Sequence, residues 1–143
     1  MNNNKRVSTS IIALLLTILL ITCLTGCSKP QPLPDEMDED TVTAMAKDAI
    51  DRANARAYEE LVALFRQDLQ ETTISISEWA DALNPILDDA GDFIEYTGSS
   101  ALGQTQDGVE SGIVVVQAKY KNKTLIYTIA FDIDSNMTGF WVR

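Results

Sequence analysis

The side chains that could do chemistry are mainly tyrosines and carboxylates, because the 143-residue chain contains no histidine. This absence excludes histidine acid–base catalysis, Ser–His and Cys–His dyads and histidine-containing metal sites. Tyr120 and Tyr127 flank a predicted turn, so we expect them to lie on paired strands and to share one face of the sheet. The alternative is that these rings complete the core and leave only their hydroxyl groups in solvent.

The carboxylate clusters do not complete a metal-binding pattern. Residues 132–136 begin like an EF-hand calcium loop, but Met137 and Arg143 occupy the positions where that loop needs Gly and Glu. A second cluster ends a predicted helix and is typical of a solvated helix end; its members are Asp88, Asp89 and Asp92. We therefore predict no metal site and no cofactor, and we assign no catalytic residue.

The first 26 residues have the pattern of an export signal. Lys5 and Arg6 precede a stretch without charged residues that runs from Val7 to Ser28. The stretch contains Leu24-Thr25-Gly26-Cys27, which resembles the bacterial lipobox. This resemblance implies that a signal peptidase recognises Leu24, Thr25 and Gly26. It also implies that the thiol of Cys27 receives diacylglycerol and becomes the start of the mature chain.

The alternative for this segment is an uncleaved transmembrane helix, since about 20 apolar residues suffice to span a bilayer. Both interpretations leave Lys5 and Arg6 in the cytoplasm and place the remaining domain on the extracytoplasmic face of the cell membrane. We therefore divide the chain into a signal peptide (1–26), a tether with the lipidated cysteine (27–40) and one domain (41–143).

Charge and composition limit the partners and describe the tether. The net charge is −10, and it becomes −12 when the signal peptide and its two cations are removed. This acidic balance argues against nucleic acid, which needs clustered Lys and Arg. The tether contains prolines at positions 30, 32 and 34 and five carboxylates in residues 35–40. Such a composition favours an extended, solvated chain.

Apolar spacing predicts helices first and strands afterwards. Helical periodicity covers residues 42–53, 58–69 and 75–90, and the third segment begins with a Ser75–Glu78 capping box. Pro85 is expected to kink or split that helix. After Gly91 the period changes to two, with turns predicted at 107–108, 122–123 and 135–136. The predicted fold is α+β, with N-terminal helices packed on one face of an antiparallel sheet.

The second half of the chain resembles a known family. The segment VVVQAKYKNKTLIYTIAFDIDSNMTGFWV at Val114–Val142 resembles the terminal hairpins of a domain of unknown function, family 3887. AYEELVALF at Ala57–Phe65 and the helix that carries Trp79 fit the same pattern. The resemblance implies a cystatin-like, or nuclear transport factor 2-like, cone in which a curved sheet wraps around helices. It implies a cleft but no reaction; the candidate cleft residues are Tyr96, Tyr120, Tyr127 and Trp79.

Three functional hypotheses follow. The leading one is a lipid-anchored, non-enzymatic domain that binds a small molecule or a protein. The second is a small enzyme that uses Tyr and Asp in the cleft, as cone-cleft isomerases of the implied superfamily do, and it requires a buried carboxyl group beside a tyrosine hydroxyl. The third is a homodimer that pairs through the outer sheet face, formed by Val115, Gln117, Ile126, Thr128 and Ala130.

Overall fold

The computed structural model describes residues 31–70 and 75–143 of the chain. The described elements are α1 (Glu39–Asn54), α2 (Tyr58–Val62), α3 (Gln67–Gln70), α4 (Ile76–Ala90), β1 (Phe93–Gln106), β2 (Val109–Tyr120), β3 (Thr124–Asp132) and β4 (Met137–Val142). The strands form one curved antiparallel sheet in the order β1-β2-β3-β4. The predicted α+β fold is thus confirmed.

The predicted export signal and lipobox, including Leu24, Thr25, Gly26 and Cys27, lie outside the described residues. Among the residues that are described, no helix is both long enough and apolar enough to cross a membrane.

Helix α1 forms the centre of the helical layer. Its N-terminus is capped by Asp38, whose carboxylate accepts a hydrogen bond from the backbone N–H of Thr41 at 2.8 Å. The hydroxyl of Thr41 also donates to this carboxylate, at 2.7 Å, and this bond together with the backbone bond lowers the pKa of Asp38 below its usual value. One stripe of the helix is buried against the sheet, and it consists of Val42, Ala46, Ala49, Ile50 and Ala53. The apolar stripe predicted from the sequence is therefore the face of α1 that packs against the sheet.

The single helix predicted for residues 58–69 is wrong. The chain forms the short helix α2, leaves helical geometry and then forms the single turn α3. Between them the N–H of Arg66 donates to the carbonyl of Met137 at 2.9 Å, and the N–H of Met137 donates to the carbonyl of Leu64 at 3.1 Å. These backbone groups pair with the start of β4, so they cannot all take part in a continuous helix.

Helix α4 begins as predicted but does not split at Pro85. The capping box is present, because Ser75 and Glu78 each accept a hydrogen bond from the other's backbone N–H. The helix runs unbroken from Ile76 to Ala90. Pro85 lies on the exposed face, where water can bind the carbonyl group that loses its intrahelical partner.

The sheet buries one face and leaves the other partly exposed. The buried side chains alternate along β2 and β3 as the period of two predicts: Val114, Val116, Ala118, Tyr120, Leu125, Tyr127, Ile129 and Phe131. Asp107 and Gly108 have φ angles of 53° and 80°, which confirms the predicted hairpin turn. The outer face proposed for dimerisation lies opposite the helices, and its pairing with a second copy stays a prediction.

Residues 31–38, here called the N-terminal segment, do not extend into solvent as a tether would. The N–H of Gly103 donates to the carbonyl of Gln31 at 2.8 Å. Met37 is buried in the core, and Leu33 packs against the core from its edge. The prolines and carboxylates suggested a solvated chain, but these two apolar side chains attach the segment to β1 and β2. The prediction of a solvated tether is therefore wrong for residues 31–38, which pack on the domain.

We expect Gly103→Ala to detach the N-terminal segment. A Cβ atom at this position would lie 1.9 Å from the carbonyl oxygen of Pro32, a backbone atom that cannot rotate away. The unfolding free energy should fall by about 1–3 kcal/mol, and limited proteolysis should cut the segment faster. Gly98→Ala is the matched control on the same strand, because its nearest neighbour would be 3.9 Å away. If the protease cut the N-terminal segment equally slowly in both variants, the close packing of Gly103 against Pro32 would be contradicted.

Candidate functional site

A cleft of about 550 Å³ opens where the C-terminal ends of α1 and α4 meet the sheet. The first residue of β1 and the last residue of β2 form the strand side of the cleft. The lining residues are Asn54, Arg56, Leu87, Asp88, Gly91, Asp92, Phe93 and Tyr120. Among the residues predicted to line a cleft, Tyr120 is the one that does so.

A chain of hydrogen bonds connects the cleft to the core. The hydroxyl of Tyr120 donates to the side-chain oxygen of Asn54 at 2.6 Å and lies 2.7 Å from the hydroxyl of Tyr127. Because an amide oxygen only accepts, the single proton of Tyr120 is used by Asn54, and Tyr127 must donate to Tyr120. Tyr127 is fully buried and Tyr120 is 3% exposed. Burial raises the pKa of both hydroxyl groups above their usual value.

Tyr96 lies beside this chain and has different partners. Its hydroxyl is 2.6 Å from a carboxylate oxygen of Asp51 and 3.1 Å from the backbone carbonyl of Lys47. Burial raises the pKa of Tyr96, and the bond to Asp51 raises it further. The ring of Phe93 contacts both Tyr96, at a centroid distance of 4.8 Å, and Tyr120, at 5.6 Å. The enzyme hypothesis needs a buried carboxyl group here, whereas Asp51 is exposed.

Trp79 is in the core and does not line the cleft. Its ring centroid is 5.8 Å from that of Phe65 and 5.8 Å from that of Phe140. Phe140 in turn contacts Tyr127 at 5.7 Å. These aromatic side chains fill the space between the helices and the sheet.

Arg56 is the cleft residue that sequence reasoning missed. It follows α1 with a φ angle of 60°, and the N–H groups of Arg56 and Ala57 bond to the carbonyls of Ala53 and Arg52. This is a Schellman motif, in which the left-handed position usually carries Gly. With no glycine near the helix end, nothing in the local sequence marks this backbone conformation. Nη2 of Arg56 donates to Asp88 at 2.6 Å.

Two NH₂ groups of the cleft residues have no partner among the described residues. Nη1 of Arg56 and Nδ2 of Asn54 are buried from water, and neither donates a hydrogen bond to a described residue. A buried donor that stays unpaired costs about 1–3 kcal/mol. Because neither nitrogen atom is accessible to water, both lie behind the surface of the cleft, and within the described residues this cost is not compensated.

The carboxylates at the end of α4 are compensated by other elements. Asp88 pairs with Arg56, and Asp89 forms an ion pair with Lys123 from the β2–β3 turn. The same turn binds the end of the helix, because the N–H of Asn122 donates to the carbonyl of Ala90 at 2.9 Å. In the part of the chain that the structure describes, no three His, Cys, Asp or Glu side chains are grouped to hold a metal ion.

We expect Arg56→Gly to be more stable than Arg56→Ala by about 1 kcal/mol, because only glycine adopts the left-handed conformation without strain. Both variants lose the ion pair with Asp88, so that loss cancels in the comparison. Urea unfolding of the two variants measures the difference. If the alanine variant proved equally stable, the strain assigned to this position would be absent.

The tyrosines should resist ionisation in the folded protein. The pKa values of Tyr96, Tyr120 and Tyr127 are raised by burial, so folding favours the neutral hydroxyl. Their contribution to stability is complete below about pH 10 and is lost as the pH rises above it. We expect the tyrosinate absorbance of the folded protein to rise at a higher pH than that of the denatured protein, because Tyr96, Tyr120 and Tyr127 ionise late. The same titration in denaturant, where all four tyrosines should ionise near pH 10, is the control.

Comparison with known proteins identifies the family. The model of a family described as "Protein of unknown function (DUF3887)" matches residues 46–140. The fold is similar to an NMR structure of a protein from Ruminococcus gnavus ATCC 29149, with a TM-score of 0.69 and 30% sequence identity. That match covers 78% of this chain and 96% of the other chain. No curated protein matches the sequence. The family model spans well over half of the chain, which therefore belongs to the DUF3887 family of proteins of unknown function.

Proposed function

We propose that the protein is a lipoprotein held at the extracytoplasmic face of the cell membrane, with a non-enzymatic domain that binds its ligand in the cleft. Lipid attachment is supported by Leu24-Thr25-Gly26-Cys27 at the end of an uncharged apolar stretch. The observation that carries the binding role is the cleft itself, which has a volume of about 550 Å³ and is lined by charged, amide and aromatic residues.

The protonation behaviour of the tyrosines supports binding over turnover. A general acid or base works best when its pKa lies near the operating pH. Burial raises the pKa values of Tyr96, Tyr120 and Tyr127 above their usual value, which moves them further from neutral pH. All three hydroxyl groups are also engaged in hydrogen bonds within the domain. These tyrosines therefore hold their protons and position the cleft wall.

The N-terminal segment favours an orientation with the cleft away from the bilayer. Gln31 pairs with Gly103, which lies ten residues along β1 from Phe93 in the cleft. At about 3.3 Å per strand residue, roughly 30 Å separates the two sites. The four residue-to-residue steps from Cys27 to Gln31 can span at most about 14 Å. A lipid on Cys27 would hold the hairpin end of the sheet near the membrane and leave the cleft open to solutes.

Lipid attachment is tested by replacing the thiol. Cys27→Ala should abolish incorporation of a labelled fatty acid and leave a precursor that retains residues 1–26, since no other atom of the motif can form the thioether. The matched control is Cys23→Ala, which removes the other cysteine of the chain and should be labelled normally. Labelling of the Cys27→Ala protein, or a wild-type mass without acyl chains, would refute the proposal.

A further inference from the structure

We propose that two copies of the chain pair through the outer sheet face, about a twofold axis that runs along the strands between β2 and β3. In this arrangement β4 of one copy lies over β1 of the other. The indole of Trp141 packs against Ser100 and Leu102 of the second copy. The pairing surface is independent of the proposed ligand-binding role, and only the direction of the axis draws on the proposed lipid anchor.

The middle of the outer sheet face is uncharged and leaves large side chains in solvent. Two rows of residues cross the four strands in register: Ser100, Val115, Thr128 and Trp141 in the first, and Leu102, Ile113, Ala130 and Gly139 in the second. Neither row contains a charged residue, although the chain has a net charge of −10. Trp141 is 58% exposed and Leu102 is 37% exposed. Two acidic copies repel each other least across such a face.

Trp141 lies flat on this face. A Cβ atom at Gly139 would overlap Cη2 and Cζ3 of the indole, so the absence of a side chain at this position leaves room for the ring. The ring therefore forms part of the surface of the sheet, while more than half of the residue stays in solvent. Tryptophan is enriched among the residues that contribute most to protein interfaces.

The side chains on β1 and β4 are complementary in size. A twofold axis along the strands sets β1 of one copy over β4 of the other at the same level of the sheet, as in aligned sheet packing. In the first row this places the small Ser100 against Trp141. In the second row it places Leu102 against Gly139, which the indole covers. Each copy has a small residue where the other has a large one, and the contact occurs twice.

Charged residues at one end of the face add to this match. Arg143 lies opposite Ile126, to which it is joined by two backbone hydrogen bonds, and it forms no ion pair with a described residue. Glu95 lies on β1 at the same end, with its side chain 58% exposed and 3.5 Å from Lys119. The proposed axis brings Arg143 of one copy towards Glu95 of the other, so opposite charges meet at the rim of the apolar contact.

The lipid anchor selects this axis over the alternative. An axis across the strands would place the two N-terminal segments at opposite ends of the dimer. The axis along the strands leaves the strand direction unchanged and places both segments at the same end. Gln31 pairs with Gly103 in each copy, so both chains continue towards Cys27 on one side of the dimer. Both lipids can then enter one bilayer.

The test is cross-linking of the full chain in cell membranes with a short bismaleimide. Packed sheets lie about 10 Å apart and neighbouring strands about 4.8 Å apart, so the axis brings the two copies of Gln117 within about 11 Å of each other. Gln117→Cys should therefore give a product of twice the monomer mass. Adding Trp141→Glu, or Ser100→Glu on the other side of the same contact, should reduce this product at least about fivefold, because each buries an unpaired charge.

Ile133→Glu is the matched control for the added charge, because Ile133 is 44% exposed in the β3–β4 turn and lies outside both rows. It should leave the yield of the Gln117→Cys dimer unchanged. Glu59→Cys, on the exposed surface of α2, controls for random collision and should give no dimer. The wild type is the blank for the two native cysteines.

Absence of a dimer from maleimide-reactive Gln117→Cys, an equal yield from Glu59→Cys, or a full yield with both Trp141→Glu and Ser100→Glu would each overturn the proposal. A cross-link to a different protein in place of the dimer would overturn it as well. Fatty-acid labelling of the same membranes reports on Cys27 alone, so failure of the pairing is distinguishable from failure of the lipoprotein assignment.

Discussion

Two tyrosine hydroxyl groups lie inside the core, and each must find a hydrogen-bond partner there. Tyr127 donates to Tyr120, and Tyr120 donates to Asn54 in the last turn of α1. Because an unpaired buried hydroxyl costs about 1–3 kcal/mol, these bonds favour one position of α1 over the sheet. The end of α1 is thereby held beside β2. Arg56, two residues further along, is placed in the wall of the cleft.

The two ends of the sheet have different surroundings. At one end the N-terminal segment pairs with Gly103 and buries Met37. At the other end the cleft lies between the last turns of α1 and α4 and the strands. Strand β1 runs continuously between them, so a contact that holds one end does not cover the other. The N-terminal segment and the cleft therefore occupy separate surfaces of one small domain.

Local patterns predicted most of the secondary structure. The capping box at Ser75 and the hairpin turn at Asp107 are both present, because each depends on hydrogen bonds or φ angles of neighbouring residues. Residues 58–69 had the spacing of one helix, but Arg66 bonds to Met137, far along the chain. The N-terminal segment had the composition of a tether, yet Met37 is buried. Both errors arise where distant partners outweigh local preference.

The amino-acid sequence by itself determined the order of helices and strands, the turns, the buried faces of β2 and β3, and the proximity of Tyr120 and Tyr127 on paired strands. Only the tertiary structure decided that Trp79 fills the core, that Asp88 pairs with Arg56, and that Asn54 bonds to Tyr120. Periodicity reports which face of an element is buried, because it repeats along the chain. Hydrogen bonds and ion pairs between separate elements depend on distances in space, which the order of residues does not contain.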